Sequence, residues 1–344
     1  MNDSSSADET RVLSRRSFFA KVGLAAGGAM LLGLPKFLIE STSPAEAALK
    51  GSYASGTVGL ELEGQFAGLL SGVEGGNPFA DIISEGVGPD MIQRKRPGPP
   101  RFEDIVLDVD FSQITKPLSG WIGDTLSKIP TPRNGAILYA DFNYKEVKRL
   151  EFMGAVITEI GTPLCDPVGA KAPAALSLRI APQSTRFSGG SGKNVLSMAG
   201  AKSAKIVSSN FAFTIQGFED ACKRIINVDA IVAKRPVAAS RAGQEKFLQQ
   251  PGVLDCSPVV IRLPEAYAGP FYKWFDDTVV KGMQVGEMSG HLTWTDQAGA
   301  KAGNVSVQLG GLGIVRYALE PANAKAGTVV RVEMYCETMN MSIL

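Results

Sequence analysis

Three segments of the sequence come close to motifs that bind phosphate or carry a catalytic serine. In SGGSGK, Phe187 stands where the first glycine of a phosphate loop belongs, and Asn194 follows Lys193 where serine or threonine is required. The same segment has Lys193 in place of the last glycine of a nucleophile elbow. In GGLGIVR, Arg316 occupies the final glycine position of a dinucleotide-binding motif. These segments therefore predict neither a nucleotide site nor a catalytic serine.

The titratable residues also fail to form a recognisable catalytic group. His291 is the only histidine in the sequence, so it has no partner histidine. Asp108 with Asp110, and Asp276 with Asp277, could in principle share acid–base work. The first pair falls on one face of a predicted strand and the second on an amphipathic helix, where solvated carboxylates are the simpler interpretation. We therefore predict no enzymatic activity and no cofactor.

The four cysteines, Cys165, Cys222, Cys256 and Cys336, are widely spaced, and no C-x-x-C pair occurs. With a single histidine and no paired thiols, a structural zinc site is not predicted. An oxidising compartment would allow a disulfide, and Cys222 with Cys256 is the first pair to test. Buried free thiols are the alternative.

The N-terminus has the residue pattern of an export signal. SRRSFFAK is followed by the apolar run VGLAAGGAMLLGL, and the pattern resembles a twin-arginine signal peptide over residues 1–47. A run of 13 residues is short for a bilayer, which takes about 20; an uncleaved anchor is the alternative. The resemblance implies export by the twin-arginine translocase to the periplasm or the cell exterior. The recognition residues are Arg15, Arg16, Phe18, Phe19 and Lys21, and the small residues at the cleavage site are Ala45 and Ala47.

The composition is that of a globular protein without a nucleic-acid-binding charge. The 344 residues include 35 lysines and arginines against 34 acidic residues, and 44% are hydrophobic. The basic residues of RKRPGPPR are therefore a local cluster, and no nucleic-acid specificity is predicted, because such binding needs a broader positive excess. The 38 glycines and 20 prolines favour turns and short strands over long helices.

The sequence is internally repeated. Alternating strands, a helix and a late strand recur at almost constant spacing, which predicts two copies of one domain at residues 48–187 and 206–344. Residues 188–205, rich in Gly, Ser, Ala and Lys, are predicted to be a flexible linker. The matched pairs are Leu62 with Ile215 and Trp121 with Trp274, each 153 residues apart, and Arg179 with Arg331, 152 apart.

Each copy is predicted to be an α+β domain of mainly antiparallel strands, built as a small sandwich or half-open barrel with one packed helix. The helices are expected at residues 116–129 and 267–281, with Trp121 and Trp274 as core anchors on their apolar faces. Residues 85–101 interrupt the first copy as a long Gly/Pro-rich loop. A structureless loop of this length is uncommon in a compact domain.

Four stretches of the first copy carry a family resemblance. They are the strand ending in Leu-Glu-Gly, then GLLSGVEGG, RKRPGPPRFEDIVLDV and SGWIGDTL. Together they resemble the tail-tube proteins of contractile phage tails and related bacterial injection systems. The second copy keeps the strand–helix–strand order and its tryptophan but lacks the Lys-Arg-Pro-Gly turn. The resemblance implies curved sheets that join edge to edge into six-membered rings around a channel.

Two fused copies then imply a homotrimer that forms a pseudo-hexameric ring, with a homohexamer as the alternative. Other tube or baseplate-like proteins are further expected partners, although an export signal departs from the family. The alternative function is an exported soluble enzyme or ligand-binding protein with a site between the domains. The predicted inter-subunit arm includes Arg94, Lys95, Arg96, Pro97, Gly98 and Arg101.

Overall fold

The structure is a computed structural model, and its strands follow the alternation of apolar residues in the sequence. In IVLDVD, for example, Ile105, Leu107 and Val109 are buried while the residues between them are not. The predicted export signal, residues 1–47, lies outside the described residues. The structure describes residues 56–127, 131–167, 173–198, 205–242, 246–296, 305–323 and 327–343.

The first half of the described chain, up to residue 198, consists of ten strands, a long helix and a short one. Helix α1 buries one face, which includes Leu118, Trp121 and Ile122, and Phe111–Gln113 forms a 3₁₀ turn before it. The elements are β1 (Val58–Leu62), β2 (Gln65–Leu70), β3 (Gly72–Gly75), β4 (Pro78–Val87), β5 (Gln93–Phe102), β6 (Ile105–Asp110), α1 (Lys116–Ser127), β7 (Arg133–Ala140), β8 (Glu146–Gly161), β9 (Ala175–Ala181), β10 (Ser184–Gly189) and α2 (Val195–Met198).

The first sheet is antiparallel and has the strand order β2-β1-β7-β8-β9-β6-β3. Strand β8 is long enough to serve two sets of neighbours. Its first part lies between β7 and β10, and its last part, from Val156 onward, pairs with β9 with an irregularity between Ile157 and Glu159. One side of β8 at residues 159–161 is therefore available for a further strand.

The second half of the described chain, from residue 205, has eleven strands and two short helices. The second helix, α4, continues through a π-helical turn, Asp276–Val280, and is preceded by a 3₁₀ turn, Glu265–Tyr267. The elements are β11 (Ile206–Ile215), α3 (Glu219–Cys222), β12 (Asn227–Val228), β13 (Val232–Lys234), β14 (Val237–Ala242), β15 (Lys246–Pro251), β16 (Asp255–Cys256), β17 (Val259–Pro264), α4 (Gly269–Phe275), β18 (Met288–Asp296), β19 (Val305–Asn323), β20 (Gly327–Tyr335) and β21 (Thr338–Ile343).

The second sheet has the order β11-β18-β19-β20-β17-β12, with β21 on β19. The first sheet has the same order: β11, β18, β19, β20, β17 and β12 correspond in turn to β1, β7, β8, β9, β6 and β3. Strand β21 corresponds to β10. Strand β2 has no counterpart, because α3 follows β11 instead. The residue pairs that revealed the repeat occupy matching places: Leu62 and Ile215 end β1 and β11, and Arg179 and Arg331 lie in β9 and β20.

Two hairpins project from matching positions in the halves. Strands β4 and β5 form one two-stranded sheet between β3 and β6, and β14 and β15 form another between β12 and β17. Residues 85–101, expected as an irregular loop, are therefore mostly paired strand. Pro97, Pro99 and Pro100 lie within β5, since a strand that belongs to an isolated hairpin can spare backbone donors on its outer side.

The halves are joined through strand pairing and a shared core. Strand β13 of the second half pairs antiparallel with residues 159–161 of β8, and Pro173 bridges to Val207. The ring of Phe111 lies 5.0 Å from that of Trp294, and helix α1 packs on β21. A single hydrophobic core contains residues of both sheets, and all described residues belong to one compact unit of the chain.

The described part of the predicted linker packs on the first sheet. The Val195 side chain is fully buried against Leu138 in a small cluster outside the main core, and its N–H donates to the Tyr144 carbonyl. Residues 188–198 are thus held by the protein, in contrast to the flexible segment expected from their Gly and Ser content. The observed fold is mainly antiparallel β with few helices. No helix within the described ranges is long and apolar enough to cross a membrane.

Candidate assembly surface

The β4–β5 hairpin carries the basic cluster that the sequence marked as an inter-subunit arm. It contains four basic and three acidic residues, and each acidic residue is ion-paired with an arginine, so the net charge of the hairpin is only +1 and little positive charge remains for nucleic acid. Exposed pairs of this kind each contribute roughly 0–1 kcal/mol. Strand β5 contains Arg94, Lys95, Arg96, Pro97, Gly98 and Arg101. The ion pairs join Arg94 to Asp90 (3.1 Å), Arg96 to Glu85 (3.0 Å) and Arg101 to Asp81 (2.9 Å).

The hairpin also exposes apolar side chains along its length. Ile82 and Val87 of β4 and Met91 and Ile92 of the turn that follows it are all largely exposed. Isolated apolar residues are normal at a protein surface, but a run of them on a projecting hairpin indicates a contact surface. The inter-subunit role of the hairpin remains a prediction that this composition favours.

The outer edge of β4 is open at the base of the hairpin. Glu103 N donates to Asn77 O over 3.1 Å, which fixes the alternation of bonds between β4 and β5. Ala80, opposite Pro100, therefore forms a non-hydrogen-bonded pair, and its own N–H and C=O point away from β5. Among the described strands none pairs with that side of β4.

A second open edge lies on β19. Its first part is covered by β18 and β21, as the first part of β8 is covered by β7 and β10. Its last part pairs with β20 alone within the described ranges, whereas the last part of β8 pairs with both β9 and β13. Leu319, at the middle of this open edge, is largely exposed. Unpaired edges are sites where another strand can add.

The two main helices differ in how well they are covered. Helix α1 is packed between the first sheet and β21, and its last carbonyls include Thr125 O, to which the Arg235 guanidinium donates over 3.1 Å. Helix α4 and its π turn leave Tyr272, Val279 and Val280 exposed. The uncovered helix lies in the same half as the open edge of β19, and the two are in contact. Together they form an apolar flank.

The glycine-rich segment SGGSGK is folded around an acidic side chain. Ser191 Oγ is hydrogen-bonded to the Glu146 carboxylate, and Gly192 N donates to Glu146 O. Burial raises the pKa of Glu146, but hydrogen bonds from Arg149 and Ser191 and the charge of Arg149 outweigh it, so the pKa lies below its usual range. A carboxylate fills the place that an anion would need, so this segment is not a phosphate site.

Of the carboxylates considered for acid–base work, Asp108 and Asp110 are half-buried on β6, and Asp276 and Asp277 share a lysine partner. Lys281 Nζ contacts Asp276 at 2.6 Å and Asp277 at 2.9 Å, and these hydrogen bonds raise the pKa of Lys281. His291 is exposed on β18. In the described ranges no group of three or more His, Cys, Asp or Glu residues could hold a metal ion.

Two open clefts lie on the described surface. One of about 460 Å³ is lined by β1, β7, β8 and β10. The other, about 570 Å³, lies between the halves, where Glu159 accepts ion pairs from Arg179 and Lys234. At its rim, burial raises the pKa of Asp104, opposed by the charge of Arg179. The Nε of Arg235, which also lines this cleft, is buried without a hydrogen-bond partner among the described residues.

The structure brings together a cysteine pair other than the predicted one. The Cys256 thiol is hydrogen-bonded to that of Cys336, which lowers the pKa of Cys256 and raises that of Cys336. Burial raises the pKa of Cys222 to about 11 and that of Cys165 to about 12. All four thiols are free in this structure. A disulfide between Cys222 and Cys256 stays a prediction.

The other predicted site residues are placed as follows. Trp121 is fully buried on α1, where its Nε1 donates to Thr131 O, and Trp274 is buried on α4 beside Phe218. The signal residues Arg15, Arg16, Phe18, Phe19 and Lys21 and the cleavage residues Ala45 and Ala47 lie outside the described residues.

Sequence reasoning missed the open edge of β19 and the flank beside it. The spacing of 153 residues between the repeats was used only for a few matching residues. Applied to every position, it would have aligned Ala80 with Ala233 and indicated that the two hairpin bases are equivalent. Nothing in the sequence indicated that Leu319 is exposed, because the lack of a neighbouring strand leaves no local sequence pattern.

No protein-family model and no curated protein sequence matches the chain. Among solved structures, it is similar to a chain of the sheath–tube complex of an extracellular contractile injection system, with 16% identity and a TM-score of 0.35, covering 43% of this chain and 99% of that chain. It is similar to a chain of the anti-feeding prophage tube-terminating cap, with 13% identity and a TM-score of 0.35, covering 41% and 93%. It is also similar to Hcp1 from Flavobacterium johnsoniae, with 16% identity and a TM-score of 0.25, covering 39% and 96%.

Proposed function

We propose that this chain is a non-catalytic structural protein, made of two copies of one tube-like domain, that assembles with copies of itself into a ring or tube segment. The observation that carries the proposal is the pairing of β13 with β8, by which the two halves join strand to strand inside one chain. A protein that joins its halves in this way, and leaves matching edges open, has the means to continue the same arrangement with further chains.

The sequence motifs and the fold support the proposal together. The same strand order in both sheets is what two copies of one domain would give. The export signal adds the proposal that assembly takes place in the periplasm or outside the cell, with the protein acting as a hub, cap or tube segment. A homotrimer would present six copies of the domain around the ring.

The test is the mass and appearance of the purified protein. We expect light scattering to give a fixed multiple of the mass of one chain, and negative-stain images to show rings with a central hole. The full chain and the chain from residue 48 onward are compared, since the leader is absent from the exported form if the sequence prediction is correct. A protein that remains at the mass of one chain at all concentrations contradicts the proposal.

The alternative, an exported enzyme or ligand-binding protein, places its ligand in the cleft between the halves. It predicts a monomer that gains thermal stability with a small molecule. Replacing Lys234 with alanine would remove this gain while leaving the mass unchanged. The proposed structural role predicts no such ligand.

A further inference from the structure

We infer that the junction between the two halves is repeated between chains. The base of the β4–β5 hairpin, residues 79–81, pairs with the open edge of β19, residues 318–320, of a second copy. The inference rests on the proposed function, because it identifies the surface through which the copies join.

The donor strand is identified by its equivalence to β13. In the junction within the chain, Ala233 pairs with Ile160 of β8 on one side and with Cys256 of β16 on the other. Ala80 lies 153 residues before Ala233 and pairs with Pro100 at the base of its own hairpin. Its free N–H and C=O point away from β5, as those of Ala233 point to β8. Residues 79–81 therefore present the edge that β13 presents.

The acceptor strand is identified by its equivalence to β8. Ile160 lies opposite Leu178 of β9, and Leu319 lies opposite Val330 of β20. Leu178 and Val330 are 152 residues apart, the spacing that also relates Arg179 to Arg331. Leu319 therefore occupies the position of Ile160. Ile160 is 1% exposed because β13 and its surroundings cover it, whereas Leu319 is 59% exposed.

The helices show the same difference at matched positions. Leu126 follows Trp121 by five residues, and Val279 follows Trp274 by five. Leu126 is 6% exposed, on a helix that packs against β21 of the other half, whereas Val279 is 47% exposed. The element that corresponds to β21 is β10, which carries the exposed Phe187. A second chain whose hairpin base pairs with β19 would thus bring its β10 toward α4.

Both junctions join opposite charges. The donor strand carries the basic residue at the junction within the chain and the acidic residue at the proposed junction between chains. Within the chain, Glu159 Oε2 lies 3.8 Å from Lys234 Nζ and 3.7 Å from the Nε of Arg179. At the open edge, Ala318 corresponds to Glu159, and Arg331 corresponds to Arg179. On the hairpin of the second chain, Asp81 corresponds to Lys234. Asp81 of one chain would therefore face Arg331 of the next.

Arg331 has an unused donor for this contact. Its Nε is buried and has no hydrogen-bond partner in the described part of the chain, although its Nη2 pairs with Glu333 at 3.2 Å. A buried donor without an acceptor is costly, and a carboxylate brought to the edge would satisfy it. Asp81 now pairs with Arg101 in an exposed ion pair, which is weak enough to be exchanged.

A second copy is the occupant that these observations specify. Donor and acceptor lie on different surfaces of one chain, so the contact is head-to-tail and each chain that joins presents a new open edge. Such contacts give a closed ring when the rotation between subunits closes, and a helical filament when it does not.

Engineered cysteines test the register. Thr162 N donates to Ile231 O at 2.9 Å and Arg235 N to Thr158 O at 2.8 Å, so Lys234 and Glu159 form a non-hydrogen-bonded pair, in which the Cβ atoms are closest. The equivalent pair between chains is Asp81 and Ala318, and the geometry suits a disulfide. The double variant Asp81→Cys with Ala318→Cys should give covalent multimers on a non-reducing gel after mild oxidation.

The matched control is Asp81→Cys with Met153→Cys, because Met153 is an exposed apolar residue of β8 away from the open edge. It should stay at the mass of one chain on the same gel. Each single variant is run beside the pairs. If the wild-type protein assembles but the Asp81/Ala318 pair forms no more multimers than the control, the junction is wrong while the proposed function stands. A wild-type protein that never assembles overturns both.

A second variant tests the same edge without cysteines. Leu319→Arg should raise the concentration needed for assembly at least tenfold, and Met153→Arg should leave it unchanged. Both side chains are exposed in the single chain, so both variants should keep the wild-type melting temperature at concentrations below that of assembly. Assembly of Leu319→Arg at the wild-type concentration overturns the inference.

Discussion

Cys256 and Cys336 meet although 80 residues separate them in the sequence. Cys256 ends the short strand β16, and Cys336 follows β20, where its thiol also lies 3.2 Å from Thr338 O. The contact holds the base of the second hairpin to the end of the second sheet. Cys256 is the half-buried member and has the lower pKa, so it is the thiol that an oxidant reaches first.

We predict that mild oxidation links Cys256 to Cys336 within one chain. The Cys256 thiolate would attack oxidised glutathione and release one glutathione, and Cys336 would then displace the second, which leaves the protein disulfide. Cys165 and Cys222 should stay reduced, because burial raises the pKa of their thiols. Thiol titration in denaturant should fall from four to two, and peptide mapping should identify the linked pair.

The control for this prediction is Cys336→Ser, in which Cys256 can form only a mixed disulfide with glutathione. Cys165 and Cys222 should stay titratable, and mass spectrometry should find one bound glutathione on Cys256. A peptide that links Cys222 to Cys256 would contradict the structural pairing and support the one predicted from the sequence.

The β4–β5 hairpin depends little on the rest of the fold. Most of its residues are exposed, and its ion pairs are formed within it. At its base, the Glu103 carboxylate accepts hydrogen bonds from the Asn77 backbone and side chain, which ties the two strands together where they leave the body. Its outer part should therefore contribute to contacts with other chains and little to the stability of its own.

Shortening the hairpin separates these contributions. Replacing residues 84–95 with an Asn-Gly turn keeps the base at residues 79–81 and removes the exposed Val87, Met91 and Ile92. We expect a change in unfolding free energy of about 0.5 kcal/mol or less, as for surface changes in general, together with weakened assembly. Circular dichroism melts and light scattering measure the two effects. Unchanged assembly would show that the outer hairpin is not an arm.

The two halves pack together in spite of their separate sheets. The buried contact between Phe111 and Trp294, the strand pairing of β13 with β8 and the packing of α1 on β21 all cross between them. The predicted division into domains linked by a flexible segment describes the sequence repeat, but the halves share a core.

Cutting the chain between the halves tests this coupling. A protease site inserted between residues 199 and 204 should allow complete cleavage, and the two fragments should still elute together under native conditions. They should separate in denaturant, where the shared core is lost. Separate elution of the fragments in buffer would mean that the halves are independent. An insertion without the protease site is the control.

The sequence predicted those features of the fold that depend on local pattern. Trp121 and Trp274 indicated the two helices, because a large aromatic side chain on the apolar face of a helix is stable in the core. Leu62 and Ile215 indicated strands that end at corresponding turns of the two halves. The pairing of Lys234 with Glu159 could not be predicted, since it depends on how two distant strands meet. The prolines of β5 suggested a loop, because proline lacks the N–H that a paired strand needs. The sequence does not indicate that one edge of β5 has no neighbouring strand, where that N–H is not needed.

The charges at the hairpin bases also disfavour incorrect pairings between chains. A first-half hairpin placed on a first-half edge would bring Asp81 against Glu159, and a second-half hairpin on a second-half edge would bring Lys234 against Arg331. The second mismatch sets Lys234 beside Arg331 with Ala318 at the position of Glu159, and the first sets Asp81 beside Glu159 although Arg179 is also near; the two alternating contacts join opposite charges. Discrimination of this kind comes from repulsion in the wrong pair as much as from attraction in the right one. Pairing of a hairpin with the edge of the same half in another chain is therefore disfavoured. First and second halves are expected to alternate along the assembly.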